Sequence, residues 1–156
     1  MNKQEVLNLI IAKLIDDAEL YLRAARSAQF EATDEQSKAE NKYDTRGLEA
    51  SYLARGQSRQ AAETEQAIAH FQALPCRPFA ATDLIDIGAL VELKGPREIA
   101  WFFVGPSAGG TEVLLDGQEI TVITPQSPLG QQLVGHKTGE KIKLPSGQER
   151  RIASVQ

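Results

Sequence analysis

LPCRPFAATDLIDIG, residues 74–88, separates two kinds of sequence. Pro75 and Pro78 cannot continue a helix, because the ring removes an N–H donor and collides with the preceding turn. Before this break the apolar residues recur at helical spacing. After it they fall in short strand-like runs parted by glycine turns. The expected organisation is a helical hairpin over 1–74, a linker over 75–82 and a small sheet-bearing domain over 83–156, an α+β fold.

On the helical side, Leu7, Ile11, Leu14, Ala18, Tyr21, Ala25 and Ala28 follow alternate steps of four and three, an a/d seam without Gly or Pro. A second, more polar seam runs from about 46 to 74 through Ala50, Ala54, Gln57, Ala61, Thr64, Ile68 and Phe71. Gly47 and Gly56 weaken it, each by roughly 1 kcal/mol against Ala. Two helices of similar length with a short polar connector predict an antiparallel coiled-coil hairpin whose arms are about 40 Å long. The alternative, helix one ending on a globular bundle, requires a partner or a dimer.

On the other side, ALVELK (89–94), REIAWFFVG (97–105), TEVLLD (111–116), QEITVIT (118–124), EKIKL (140–144) and ERRIASVQ (149–156) read as strands of a twisted antiparallel sheet. Asp116-Gly117 signals a tight hairpin turn. SPLGQQLVG (127–135) reads as one short helix, with Ser127 at the N-cap, Pro128 at the first helical position and Gly135 as the stop. Trp101-Phe102-Phe103 fits sheet core better than a stacking platform. Lys137, Lys141, Lys143, Arg150 and Arg151 are divided between faces by strand alternation, which favours solubility over a nucleic-acid face.

The totals restrict function. The 156 residues suit one ordinary domain or two small ones, and 42% hydrophobic with 24% charged residues is a globular balance. A net charge of −4 argues against broad nucleic-acid or membrane binding. One cysteine, Cys76, excludes an internal disulfide, and the separated His70 and His136 give no zinc spacing. No apolar run has transmembrane length, and Lys13, Asp16 and Asp17 break the N-terminal one. The expectation is a cytoplasmic monomer with no intrinsic cofactor.

EATDEQSKAENKYDTRG, residues 31–47, carries five carboxylates where the two helices meet. Glu31 lies near the end of the first helix and Asp44 before the second, where it suits an N-cap. Asp34, Glu35 and Glu40 have no such structural duty. They are either a solvated tip or groups meant for a cation or a basic surface.

Val104-Gly105-Pro106, followed by SPLGQQLVGHKTGEKIKLPSGQERRIASVQ (127–156), resembles the C-terminal domain of the bacterial GreA/GreB transcript-cleavage factors. The elements are a Val-Gly-Pro strand end, a Ser-Pro helix start, Gly135-His136-Lys137, Gly139-Glu140 and the closing Pro145-Ser146-Gly147-Gln148-Glu149. Lys38, Glu40, Asn41 and Tyr43 resemble the family's hairpin tip. The residue three before Glu40 is Ser37 rather than an acid, with Asp34 and Glu35 close by.

The resemblance implies an FKBP-like C-terminal domain and a factor that binds RNA polymerase through its secondary channel. Ser127, Pro128 and Gln126 would lie at the polymerase contact. Glu40, with Asp34 or Glu35, would share a Mg2+ with the polymerase, since hard cations take carboxylate oxygens and two metals clamp a phosphodiester. The factor would modulate the polymerase's own activity, not act as an enzyme. DNA binding, and contact with nascent RNA, would come only through that complex. A polymerase-binding inhibitor that does not promote cleavage, or an anti-Gre factor, is the alternative. A coiled-coil adaptor dimerising along Leu7–Ala28 and a prolyl isomerase are more remote.

Overall fold

The structure, a computed structural model, describes residues 1–34, 40, 45–96 and 98–156. Helix α1 spans Lys3–Thr33 and helix α2 spans Arg46–Gln72. They form the long N-terminal hairpin that the seams predict. Asn2 starts α1, its side-chain oxygen accepting from the Glu5 N–H at 3.3 Å. Thr45 precedes α2, and its hydroxyl donates to Glu49 at 2.8 Å. Asp44, the expected cap, lies outside the described residues.

The chain divides into two compact units, Leu14–Ile68 and Met1–Lys13 with Ala69–Gln156. In the first, Leu14, Ala18, Ala25, Ala28, Ala50 and Ala61 are buried, and Tyr21, Ala54, Gln57 and Thr64 are half-buried. Both expected seams therefore face inward.

The second unit holds a six-stranded sheet. Its strands are β1 (Leu90–Lys94), β2 (Ile99–Val104), β3 (Glu112–Leu115), β4 (Gln118–Ile123), β5 (Lys141–Lys143) and β6 (Glu149–Val155), in the order β3-β4-β2-β1-β6-β5. Helix α3, Pro128–Leu133, follows β4. Asp116 and Gly117, at φ 53° and 74°, close the β3–β4 hairpin as a two-residue turn. The sheet is mostly antiparallel, as the sequence predicts, with one parallel pairing that the sequence did not predict. Strand β4 inserts between β3 and β2 and runs parallel to β2, pairing Trp101 with Ile120 and Val104 with Ile123. Alternation fixes which face a residue takes, not which strand is its neighbour.

Both faces of the sheet are covered. Val91, Leu93, Val104, Ile123 and Ile152 pack with Phe79, Ile85 and Leu133 of α3. On the other face, Phe103 meets Phe71 of α2, their ring centroids 6.1 Å apart. Val6, Ile10 and Phe71 are fully buried at this base. Burial of side chains of this size stabilises a fold by about 1.5–3 kcal/mol each. Among the described residues no helix is long and apolar enough to cross a membrane.

Candidate functional site

Two motifs far apart in sequence meet at one end of the sheet. Val104-Gly105 ends β2, and Thr124 to Pro128 leads from β4 into α3; because β2 and β4 run parallel, these ends are neighbours. The Gly105 N–H donates to the Ile123 carbonyl at 2.8 Å. Only glycine suits this position. A Cβ there would lie 2.7 Å from Cζ of Phe71 and 2.9 Å from Cγ1 of Val122. The Val-Gly-Pro strand end is thus the seat of an aromatic ring from α2. Beside it, His70 Nδ1 lies 3.3 Å from the Ser107 hydroxyl.

Ser127 acts as the expected cap, and it does more. Its Oγ accepts from the Gly130 N–H at 3.0 Å and donates to the Thr124 carbonyl at 2.8 Å. Gly130 presses against the same carbonyl, where a Cβ would fall 1.9 Å from the oxygen. The turn into α3 is therefore held from both sides. Pro128, at the first helical position, is exposed, as is Gln126, whose carbonyl accepts from Gln131 Nε2 at 3.3 Å. The result is a rigid, mostly uncharged corner that presents Gln126 and Pro128 to solvent.

The carboxylates of the hairpin end are placed separately, in the other unit. Asp34 follows α1, its N–H bonded to the Phe30 carbonyl at 2.9 Å. Glu40 is exposed and lies 3.9 Å from the Arg46 guanidinium, so it has a cationic neighbour within the chain. Glu35, Ser37, Lys38, Asn41 and Tyr43 lie outside the described residues. Among the described residues no three His, Cys, Asp or Glu side chains gather as a metal site. Asp34 and Glu40 alone do not make a cage for a hard cation, which takes six or more oxygens.

The aromatic run divides by alternation. Phe103 faces Phe71, Phe102 packs into the opposite core, and Trp101 is half-buried. These rings do not line a common prolyl pocket. Lys141, Lys143 and Arg151 are exposed, while Arg150 turns to pair with Glu98 and Gln148.

Sequence reasoning missed Lys3. Its ammonium is buried and donates to the carbonyls of Arg77 and, at 3.2 Å, Gly88. It also lies 4.7 Å from the centre of the Phe79 ring, and the Arg77 guanidinium lies 3.9 Å from that centre. Burial lowers the Lys3 pKa; nearby Cys76 opposes this shift and Arg77 adds to it. A lysine in the first turn of a helix ordinarily reads as solvated, so no local signal marked it.

No family model matches the sequence, and no curated protein matches it. Among solved structures, the chain is similar to GreA factor homolog 1 (Gfh1) of Thermus thermophilus, at 22% identity over 94% of each chain and a TM-score of 0.39. It is similar also to Thermus aquaticus Gfh1, at 23% identity over 94% of this chain and 91% of that one, again with a TM-score of 0.39. A third structure, of the transcription factor Gfh1, matches at 23% identity over 95% of this chain and 94% of that chain, with a TM-score of 0.40.

Proposed function

We propose that this chain is a Gre-like transcription elongation regulator that acts on RNA polymerase in the cytoplasm. The observation that carries the reading is the meeting of Val104-Gly105-Pro106 with Ser127-Pro128 at adjacent strand ends. These are the sequence motifs that resemble the GreA/GreB C-terminal domain, and they form one preorganised corner. A long helical hairpin in the same chain fits a factor that inserts an arm into the polymerase's secondary channel.

In this reading the corner docks on the rim of the channel, with Gln126, Ser127 and Pro128 as the contact. Ser127 fixes the turn, and Pro128 offers an apolar surface that is already rigid and therefore loses little entropy on binding. The hairpin end supplies carboxylates, with Glu40, Asp34 and Glu35 as the candidates. A Mg2+ held jointly with the polymerase would supply the Lewis acidity for cleavage of a backtracked transcript.

A second reading is regulation without cleavage. It is favoured by Arg46 beside Glu40, since a guanidinium on the carboxylate competes with any cation for it. The two readings separate in one experiment. Purified core polymerase should retain the factor at micromolar concentration, and Pro128→Glu should weaken retention while circular dichroism and melting stay unchanged. Absence of binding by the parent protein overturns both readings. If it binds, a backtracked-complex assay decides between them: shortened transcripts support cleavage, and intact ones support the second reading.

A further inference from the structure

The segment from Leu74 to Gly88 crosses the sheet-bearing unit as a strap. Its far end is tied by backbone bonds: Ile85 N–H to the His136 carbonyl at 2.7 Å, Gly135 N–H to the Ile85 carbonyl at 2.9 Å and Gly88 N–H to the Val104 carbonyl at 2.8 Å. Its near part is different. Pro75 and Pro78 have no N–H to give. The backbone bonds there are local, from Arg77 N–H to the Pro75 carbonyl and from Asp83 N–H to the Ala80 carbonyl, both 2.9 Å. The Asp83 carboxylate accepts from the Ala80 N–H at 3.0 Å, which is again local. Among the described residues two long-range ties remain: the Phe79 ring set in the core, and the Lys3 ammonium on the Arg77 carbonyl.

These two ties are one assembly. Lys3 and Arg77 both lie against the Phe79 ring, and Lys3 reaches both the near part of the strap and, through the Gly88 carbonyl, its far end. A buried ammonium is costly unless it is fully bonded, so the partners must be held together or not at all. We propose that Lys3 is the clasp of this strap: residues 75–83 open and close as a unit, and Lys3, gripping the Arg77 and Gly88 carbonyls over Phe79, holds them closed. This inference concerns the built-in mobility of the strap and stands apart from polymerase binding.

Amide hydrogen exchange on the full chain tests the clasp, because it reads local opening separately from global unfolding. In Lys3→Met the amides of Arg77, Ala80 and Asp83 should exchange about tenfold faster or more, while those of Leu93 and Ile152 in the sheet stay within about twofold. Phe79→Leu, which keeps an apolar side chain but removes the ring face, should give the same local pattern. Where Lys3→Met does not fold, Lys3→Arg, which keeps the charge but shifts its donors, supplies the comparison. Unchanged exchange at the strap amides overturns the proposal. So does a uniform rise across strap and sheet, which would make Lys3 an ordinary support of the whole unit.

Discussion

Gly105 has its Cα where a methyl group would collide with two buried side chains, Phe71 and Val122. Gly105→Ala must therefore displace Phe71 or bend the end of β2. Overpacking of this kind costs about 1–3 kcal/mol, and urea unfolding should show the midpoint fall with the slope unchanged. The residue was legible in the sequence as part of a motif, but its reason was not, since Phe71 is distant in the chain. Ser127 and Pro128 were legible with their reasons, because capping chemistry depends on neighbours three residues away. Lys3 was not legible at all. Its carbonyl partners lie 74 and 85 residues away, and no spacing rule reaches so far.

The helices show how far a period can be trusted. The seven seam positions of α2 are buried or half-buried, although three of them are Gln57, Thr64 and Ala54. Spacing, more than hydrophobicity, fixed the inward face. Gly56 lies off that seam, and a Cβ there would meet nothing within 4 Å. Gly56→Ala should therefore stabilise the protein by about 1 kcal/mol, seen as a melting temperature higher by about 2–4 °C. A fall would mean that the helix needs the glycine for a reason the geometry does not contain. The strands were also legible one by one, their ends displaced by a residue or two. Their order was not, because the parallel pairing of β2 with β4 depends on where the β3–β4 hairpin inserts.

At the scale of the whole molecule, the proposed function separates docking from action. In that proposal the corner at Ser127-Pro128 would dock, and the carboxylates of the hairpin end would act. Replacing Asp34 by Asn with Glu35 and Glu40 by Gln removes the acidity without touching the corner. Stability should stay within about 1 kcal/mol of the parent, since the Glu40–Arg46 pair is exposed and such pairs contribute little. Retention on polymerase should persist, and the effect on transcription should be lost. A triple variant that regulates as well as the parent would reduce the acids to solvated surface. The resemblance made the acids worth naming, but the sequence alone could not assign Glu40 a neighbour, because Arg46 approaches it only through the fold.

The strand order places β3 and β5 at the two margins of the sheet, each with a strand neighbour on one side only among the described residues. Such edges invite copies of the same chain to add on and grow into aggregates. Here β5 is three residues long and bears Lys141 and Lys143 on either side of buried Ile142, so an incoming strand would meet two positive charges. Strand β3 is four residues long, begins with exposed Glu112 and ends at the tight Asp116-Gly117 turn, which leaves a second sheet little length to follow. The architecture thus discourages its own polymerisation at both margins, by charge at one and by brevity at the other.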